Sequence, residues 1–164
     1  MLYGFFRRGR EGYLYDPPCL AGKIEITLNS GEPPLSGCVT FLVDTGAQHT
    51  ILNPVDARRL GWAFSSDVPN VLVQGIAGEA LAQKVEASVF FADPDEAVLR
   101  GFSASLLILP YEERLLKRPS VIGRDLLHFW DMSHGPYQGV LEFEPVWKGE
   151  VRAYEAIVED RRAR

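Results

Sequence analysis

Asp44 is the residue whose neighbours give it the most chemistry to do. It follows three apolar residues, Phe41-Leu42-Val43, that suit a buried strand, and it opens a turn of small residues, Thr45-Gly46-Ala47. Apolar character resumes at Ile51-Leu52. A carboxylate delivered by a buried strand is costly unless it is hydrogen-bonded or used. Gly46, two residues on, lets the backbone turn tightly and lets another chain approach closely. The chemistry on offer is a carboxylate held for work on a proton or a water. Asp and Gly also suit ordinary turns, so the tripeptide alone reads as a turn.

Two further segments change that reading. Residues 120–127 run Ser-Val-Ile-Gly-Arg-Asp-Leu-Leu, an apolar pair, then Gly123-Arg124-Asp125, then an apolar helix start. Between the two motifs, Val71-Leu72-Val73 leads through Gln74-Gly75-Ile76-Ala77-Gly78-Glu79-Ala80 to a second strand near Leu81. Two strands joined through Gly-x-x-Gly predict a β-hairpin, with glycines at a tip that must bend. Taken alone this would be an ordinary surface hairpin.

In this order the three segments resemble the retropepsin-like, or retroviral-type, aspartic proteases. Asp44-Thr45-Gly46 matches the active-site loop, with Ala47 pointing to the retroviral branch. Residues 71–81 match the flap, without the tyrosine of pepsin-type flaps, and Ile122 to Leu127 match the Gly-Arg-Asp segment. The resemblance spans roughly Ile24 to Phe143 and implies a cellular or bacterial member. It implies an all-β acid-protease barrel with a flap hairpin, one short helix near the C-terminal part, and an obligate homodimer.

The implied chemistry requires two carboxylates. Aspartic proteolysis holds a water between two aspartates sharing one proton; one activates the water while the other hydrogen-bonds the scissile carbonyl. Asp-Thr-Gly occurs once in the 164 residues, Asp-Ser-Gly nowhere, and the length suits one domain rather than two lobes. The second aspartate therefore has to come from a second copy across a two-fold axis. The function expected is a homodimeric aspartic endopeptidase acting on polypeptide. The alternative is a catalytically silent dimerisation or peptide-binding module of the same fold.

By the same resemblance, Asp44 is the catalytic carboxylate, Thr45 bonds across the axis to the opposite loop, and Gly46 offers its carbonyl to substrate. Ala47, Gln48, Gly75, Ile76 and Gly78 are expected to bind substrate, the flap residues through backbone groups, often by way of a water. Extended peptides bound this way gain affinity from main-chain bonds and preference from side-chain pockets. Val43, Leu52, Ile76 and Ile122 read either as pocket lining or as plain core. Gly123, Arg124 and Asp125 are expected to serve structure and the dimer. One position departs from the pattern: Gln48 stands where many relatives carry an aspartate that pairs with the arginine. Arg124 is then expected to reach Asp125, Asp56 or the other chain, or to stay a surface arginine at a helix end.

Composition fits a compact soluble domain, with 46% hydrophobic residues. A net charge of −5 argues against nucleic acid as a partner. The longest apolar stretch, around 104–109, is far too short to span a membrane. Leu2 to Phe6 is too short for a signal-peptide core, so a cytoplasmic protein is expected, with Cys19 and Cys38 as reduced thiols. His49, His128 and His134 stand apart from one another and from the cysteines, so neither a metal nor any other cofactor is expected.

Around these motifs the chain divides into an N-terminal extension (1–22), the protease-like domain (23–145) and a charged tail (146–164). Lys23 to Leu28 alternates as a strand, Asn29 to Gly37 reads as a turn, and Cys38 to Val43 is the strand into Asp44. Asn53 and Pro54 open a helix that Gly61 stops. Val85–Phe91 and Phe102–Leu109 read as strands around a solvated turn at residues 93–96. Arg124–Trp130 is the short helix and Val140–Phe143 a last strand. The tail reads equally as a short helix or a frayed end.

Overall fold

In the computed structural model, residues 1–7, 16–28, 33–75, 78–147 and 149–153 are described. The strands, in chain order, are β1 (Leu2–Tyr3), β2 (Phe5–Phe6), β3 (Pro18–Ile26), β4 (Leu35–Val43), β5 (Ile51–Leu52), β6 (Asn70–Gly75), β7 (Gly78–Asp93), β8 (Val98–Ile108), β9 (Ser120–Ile122), β10 (Trp130–Gly135), β11 (Val140–Pro145) and β12 (Glu150–Ala153). Two short helices interrupt them: α1 (Pro54–Arg59) and α2 (Arg124–Leu127).

The all-β barrel expected from the sequence is present. Strands β8, β5, β9, β4, β3 and β7 follow one another by hydrogen-bonded pairing, and β7 pairs back onto β8 to close the ring. Closure removes the sheet edges that would otherwise stand open. Alternation along the strands turns Ile24, Ile26, Val39, Phe41, Val89 and Leu106 inward, and all are buried. A smaller sheet, ordered β1-β11-β10, lies beside the ring. An aromatic cluster of Phe91, Phe102, Trp130 and Phe143 joins the two, with Trp130 meeting Phe91 and Phe102 edge-on.

Leu2 is fully buried against this core, and residues 18–22 are already part of β3. The strand before the catalytic-type turn begins at Leu35, three residues earlier than the local pattern suggested. The α1 helix starts as expected: the Asn53 side chain accepts from the Asp56 N–H at 2.7 Å, and Pro54 sits at the first helical position. α2 is shorter than its apolar pattern implied, ending at Leu127 so that Trp130 can enter β10.

Two expectations need correction. The turn after β7 is not wholly solvated, because Asp93 is fully buried and bound to Arg100 and to the Met1 ammonium. The tail contributes a strand rather than a helix, since Glu150–Ala153 pairs antiparallel with β8. Its remaining residues, 154–164, lie outside the described residues.

Candidate active site

Asp44 directly follows β4, whose last residues pair in parallel with β9: Phe41 with Ser120, Leu42 with Val121, Val43 with Ile122. The Asp44 N–H continues this ladder by donating to Ile122 O at 3.2 Å. The chain then turns within two hydrogen bonds. The Ala47 N–H donates to Asp44 O at 3.1 Å, and the Gly46 N–H donates to Asp44 Oδ1 at 2.8 Å. An N–H aimed at one carboxylate oxygen fixes the side-chain rotamer. Thr45 and Gly46 are exposed and Asp44 is half-buried, so the turn presents its carboxylate at an open surface.

The Gly-Arg-Asp segment locks this turn from behind. The Arg124 N–H donates to Ala47 O at 3.0 Å and the Asp125 N–H to Gln48 O at 3.3 Å, so the first turn of α2 caps the loop's carbonyls. The Asp125 carboxylate takes the Thr50 N–H at 2.8 Å and the Thr50 hydroxyl at 2.7 Å. In return the Gly123 N–H donates to Thr50 Oγ1 at 3.2 Å. Only glycine fits at 123, because a Cβ there would lie 2.5 Å from the His49 carbonyl. The two motifs are thus one unit, with Thr50 fully buried at its centre.

A second anchor holds the far side of β9. The buried Ser120 hydroxyl accepts the Asn53 N–H at 3.0 Å and donates to Asp56 at 2.7 Å, while Asn53 caps α1. Thr50, Asn53 and Ser120 are site-forming residues that the motifs did not single out. Thr50 and Asp125 stand 75 positions apart in the chain, so no local pattern pairs them.

The flap expectation places a hairpin over residues 71–81, and β6 and β7 form one, in register from Asn70↔Gln83 to Gly75↔Gly78. Ile76 and Ala77, its tip, lie outside the described residues. Near its tip Arg114 donates from Nη2 to Glu79 O at 2.6 Å and pairs with Glu112 at 2.7 Å. Leu115 packs beneath with Ala80, Ala82, Leu107 and Leu109. Arg114→Ala is expected to speed amide exchange in residues 73–80 by roughly tenfold, with little change elsewhere, since a locally opening hairpin loses its clasp. Hydrogen-exchange mass spectrometry checks this.

Alternatives that the sequence leaves open are decided here. Leu52 and Ile122 are fully buried and Val43 nearly so, which makes them core rather than pocket lining. Arg124 does not reach Asp125 or Asp56; Thr50 occupies the first, while Asn53, Arg59 and Ser120 occupy the second. Its side chain is exposed and makes no hydrogen bond among the described residues. Gln48 is likewise exposed beside it. A cavity of about 330 Å³ between Pro54, Arg58, Trp62, Phe64 and Tyr111 contains none of the motif residues. Among the described residues no three His, Cys, Asp or Glu side chains gather to hold a metal ion.

A family model described as aspartyl protease matches residues 24–126, from β3 through the Asp44 turn to α2. The chain belongs to the aspartyl protease family. Within that match lie all three motifs, and the locked unit around Asp44 is the aspartyl protease's candidate active site. Among solved structures, the EIAV protease complexed with the inhibitor HBY-793 is 17% identical. That alignment covers 73% of this chain and 92% of the EIAV one, with a TM-score of 0.41. A retropepsin-like aspartic protease from Rickettsia conorii is 16% identical over 79% of this chain and 96% of its own, with a TM-score of 0.44. No curated protein shows a significant sequence match to this aspartyl protease.

Proposed function

We propose that this aspartyl protease is a homodimeric endopeptidase in which Asp44 from each of two copies holds the attacking water. The observation that supports it most is the locked turn, with one carboxylate at an open surface and its oxygen fixed by the Gly46 N–H. A lone carboxylate there is half of a two-carboxylate mechanism. Thr45, exposed beside it, would bond across the axis, and the Gly46 carbonyl would meet an extended substrate. Ala47, Gln48 and the flap residues Gly75, Ile76 and Gly78 would hold the substrate backbone. A site that reads backbone in this way takes unstructured polypeptide.

The test is cleavage of a soluble peptide from about pH 3 to about pH 9, with molecular mass measured at each point. The rate requires one proton shared between the two carboxylates, so it is expected to fall at both ends, with its maximum on the acid side of neutrality. Specific activity is expected to fall on dilution below the dimer dissociation constant. A rate climbing steadily to the alkaline end, or flat specific activity from a monomer, overturns the reading.

A further inference from the structure

We propose that the cavity beside α1 binds a small aromatic carboxylate, and that the bound molecule braces the β6–β7 hairpin. The inference goes beyond the reading of Asp44 and does not depend on it, since the cavity contains none of the motif residues.

The shape and the rings come first. Pro54 and Ala57 are buried and form the closed side of the cavity, while Arg58, Phe64 and Tyr111 are exposed and stand at its mouth. At about 330 Å³ it lies at the small end of ligand sites, which run from about 300 to about 1,000 Å³. In the core, rings meet rings: Phe91, Phe102, Phe129, Trp130 and Phe143 all contact one another in pairs. Trp62, Phe64 and Tyr111 line one space yet make no ring-to-ring contact among the described residues. Three aromatic side chains left unstacked around a space offer a guest ring the offset and edge contacts that aromatic pairs prefer.

Arg58 supplies the charge. It is the one charged residue of the lining, and its guanidinium lies 5.4 Å from the centre of the Tyr111 ring. That guanidinium makes no hydrogen bond or ion pair among the described residues. Carboxylates close to the lining in the chain are taken: Asp56 by Asn53, Arg59 and Ser120, and Glu112 by Arg114. A guanidinium without a counter-charge selects an anion, and its planar fork matches a carboxylate. A ring with a carboxylate a few bonds away meets both requirements. A cation, or a neutral apolar molecule, does not.

Three elements meet at the cavity, and two of them support the hairpin. α1 is the fixed one, held to β9 through Asp56 and the Ser120 hydroxyl. Trp62 is tied to both sides: its backbone N–H donates to Ala57 O at 2.9 Å, and its indole Nε1 donates to Gln83 Oε1 at 3.3 Å. Gln83 is buried in β7 opposite Asn70, where the hairpin begins. Tyr111 belongs to the loop whose Arg114 donates to Glu79 O near the hairpin tip. A guest held by Arg58, Trp62 and Tyr111 therefore joins fixed α1 to both supports. A molecule that binds this arrangement in preference to an opened one shifts the population toward it.

The test uses the full chain and 3-phenylpropanoate as probe. Its amide, 3-phenylpropanamide, has the same shape without the charge, and hexanoate has the carboxylate without the ring. Titration calorimetry is expected to show one phenylpropanoate bound per chain. The amide and hexanoate are each expected to bind roughly tenfold more weakly, for want of a charge-assisted hydrogen bond or of the ring contacts. Arg58→Gln removes a charge that bonds nothing else, and is expected to fold normally and bind acid and amide alike. By hydrogen-exchange mass spectrometry, saturating phenylpropanoate is expected to slow exchange in residues 70–75 and 79–83 by about threefold or more, leaving β10 and β11 unchanged. No binding up to the solubility limit of the probe, equal affinity of the wild type for acid and amide, or a preference for the acid that survives Arg58→Gln overturns the site. Binding that leaves exchange in the hairpin unchanged overturns the bracing.

Discussion

Asp44→Asn is expected to leave a folded protein whose kcat/KM for peptide cleavage is lower by on the order of a thousandfold or more. Asparagine keeps the shape of the side chain, and its Oδ1 can still accept the Gly46 N–H that sets the rotamer. What it loses is the proton that the proposed dyad would hold and pass on. Circular dichroism and thermal midpoint are therefore expected to stay close to wild type while turnover disappears. Wild-type chains mixed with an excess of Asp44→Asn chains are expected to lose activity as mixed dimers form. Asp67, an exposed carboxylate away from the turn, is the control, and Asp67→Asn is expected to cleave normally. Asp125 is unsuitable as a control, because its carboxylate holds Thr50 and its loss would loosen the Asp44 loop itself. Wild-type cleavage by purified Asp44→Asn protein would end the assignment.

Arg100→Leu is expected to be the most damaging substitution remote from the site, costing about 3–5 kcal/mol. Arg100 donates from Nε to Asp93 at 2.7 Å, and both side chains are almost wholly shielded from solvent. Removing the guanidinium leaves a buried carboxylate with one counter-charge fewer, the costly way to break a buried pair. A fall of roughly 10 °C in Tm is expected for a chain of this size. Replacing Asp93 by Leu as well is expected to recover much of the loss, because two apolar side chains leave no buried charge behind. A single Arg100→Leu variant that melts with wild type would refute the argument.

The same pair bears on how the fold responds to acid. Burial opposes ionisation of Asp93, but hydrogen bonds from the Met1 ammonium and Arg100 outweigh it and hold the carboxyl below its ordinary value. Glu25 behaves alike: burial opposes its charge, and hydrogen bonds from Lys23 and Arg152 prevail. Both groups release protons more readily folded than unfolded. Their stabilisation is complete above the ordinary carboxylate value of about 4 and is lost as pH falls through the lowered folded values. These two groups are therefore expected to cost the fold no stability in the mildly acidic range, which acid unfolding followed by circular dichroism checks.

The motifs were legible because each is local. Phe41 to Gly46 announces a strand and a turn bearing a carboxylate within six residues, and Asn53-Pro54 announces a helix start whose cap is observed. The hairpin at 70–83 followed from apolar runs around glycines. Less legible were elements whose ends depend on distant partners. β3 extends back to Pro18 because β4 and β2 offer it hydrogen bonds, and residues 150–153 become a strand because β8 has an open edge. Neither segment carries that information in its own pattern.

By itself the sequence determined the chemistry available at Asp44, the order of the three motifs and the barrel they require. Residue type and near-neighbour spacing are enough for that. Tertiary structure alone decided what holds the site together. Thr50 reads as an ordinary residue after a loop until the fold brings Asp125 to it, and Gly123 is indispensable only because His49 passes so close. Asp93 reads as a solvated turn residue until Arg100, across the β7–β8 hairpin, gives its charge a partner away from water. Arg124 reads as able to reach Asp125 or Asp56 until the fold commits both carboxylates elsewhere. In each case the deciding contact is made in space by residues whose sequence surroundings do not encode one another.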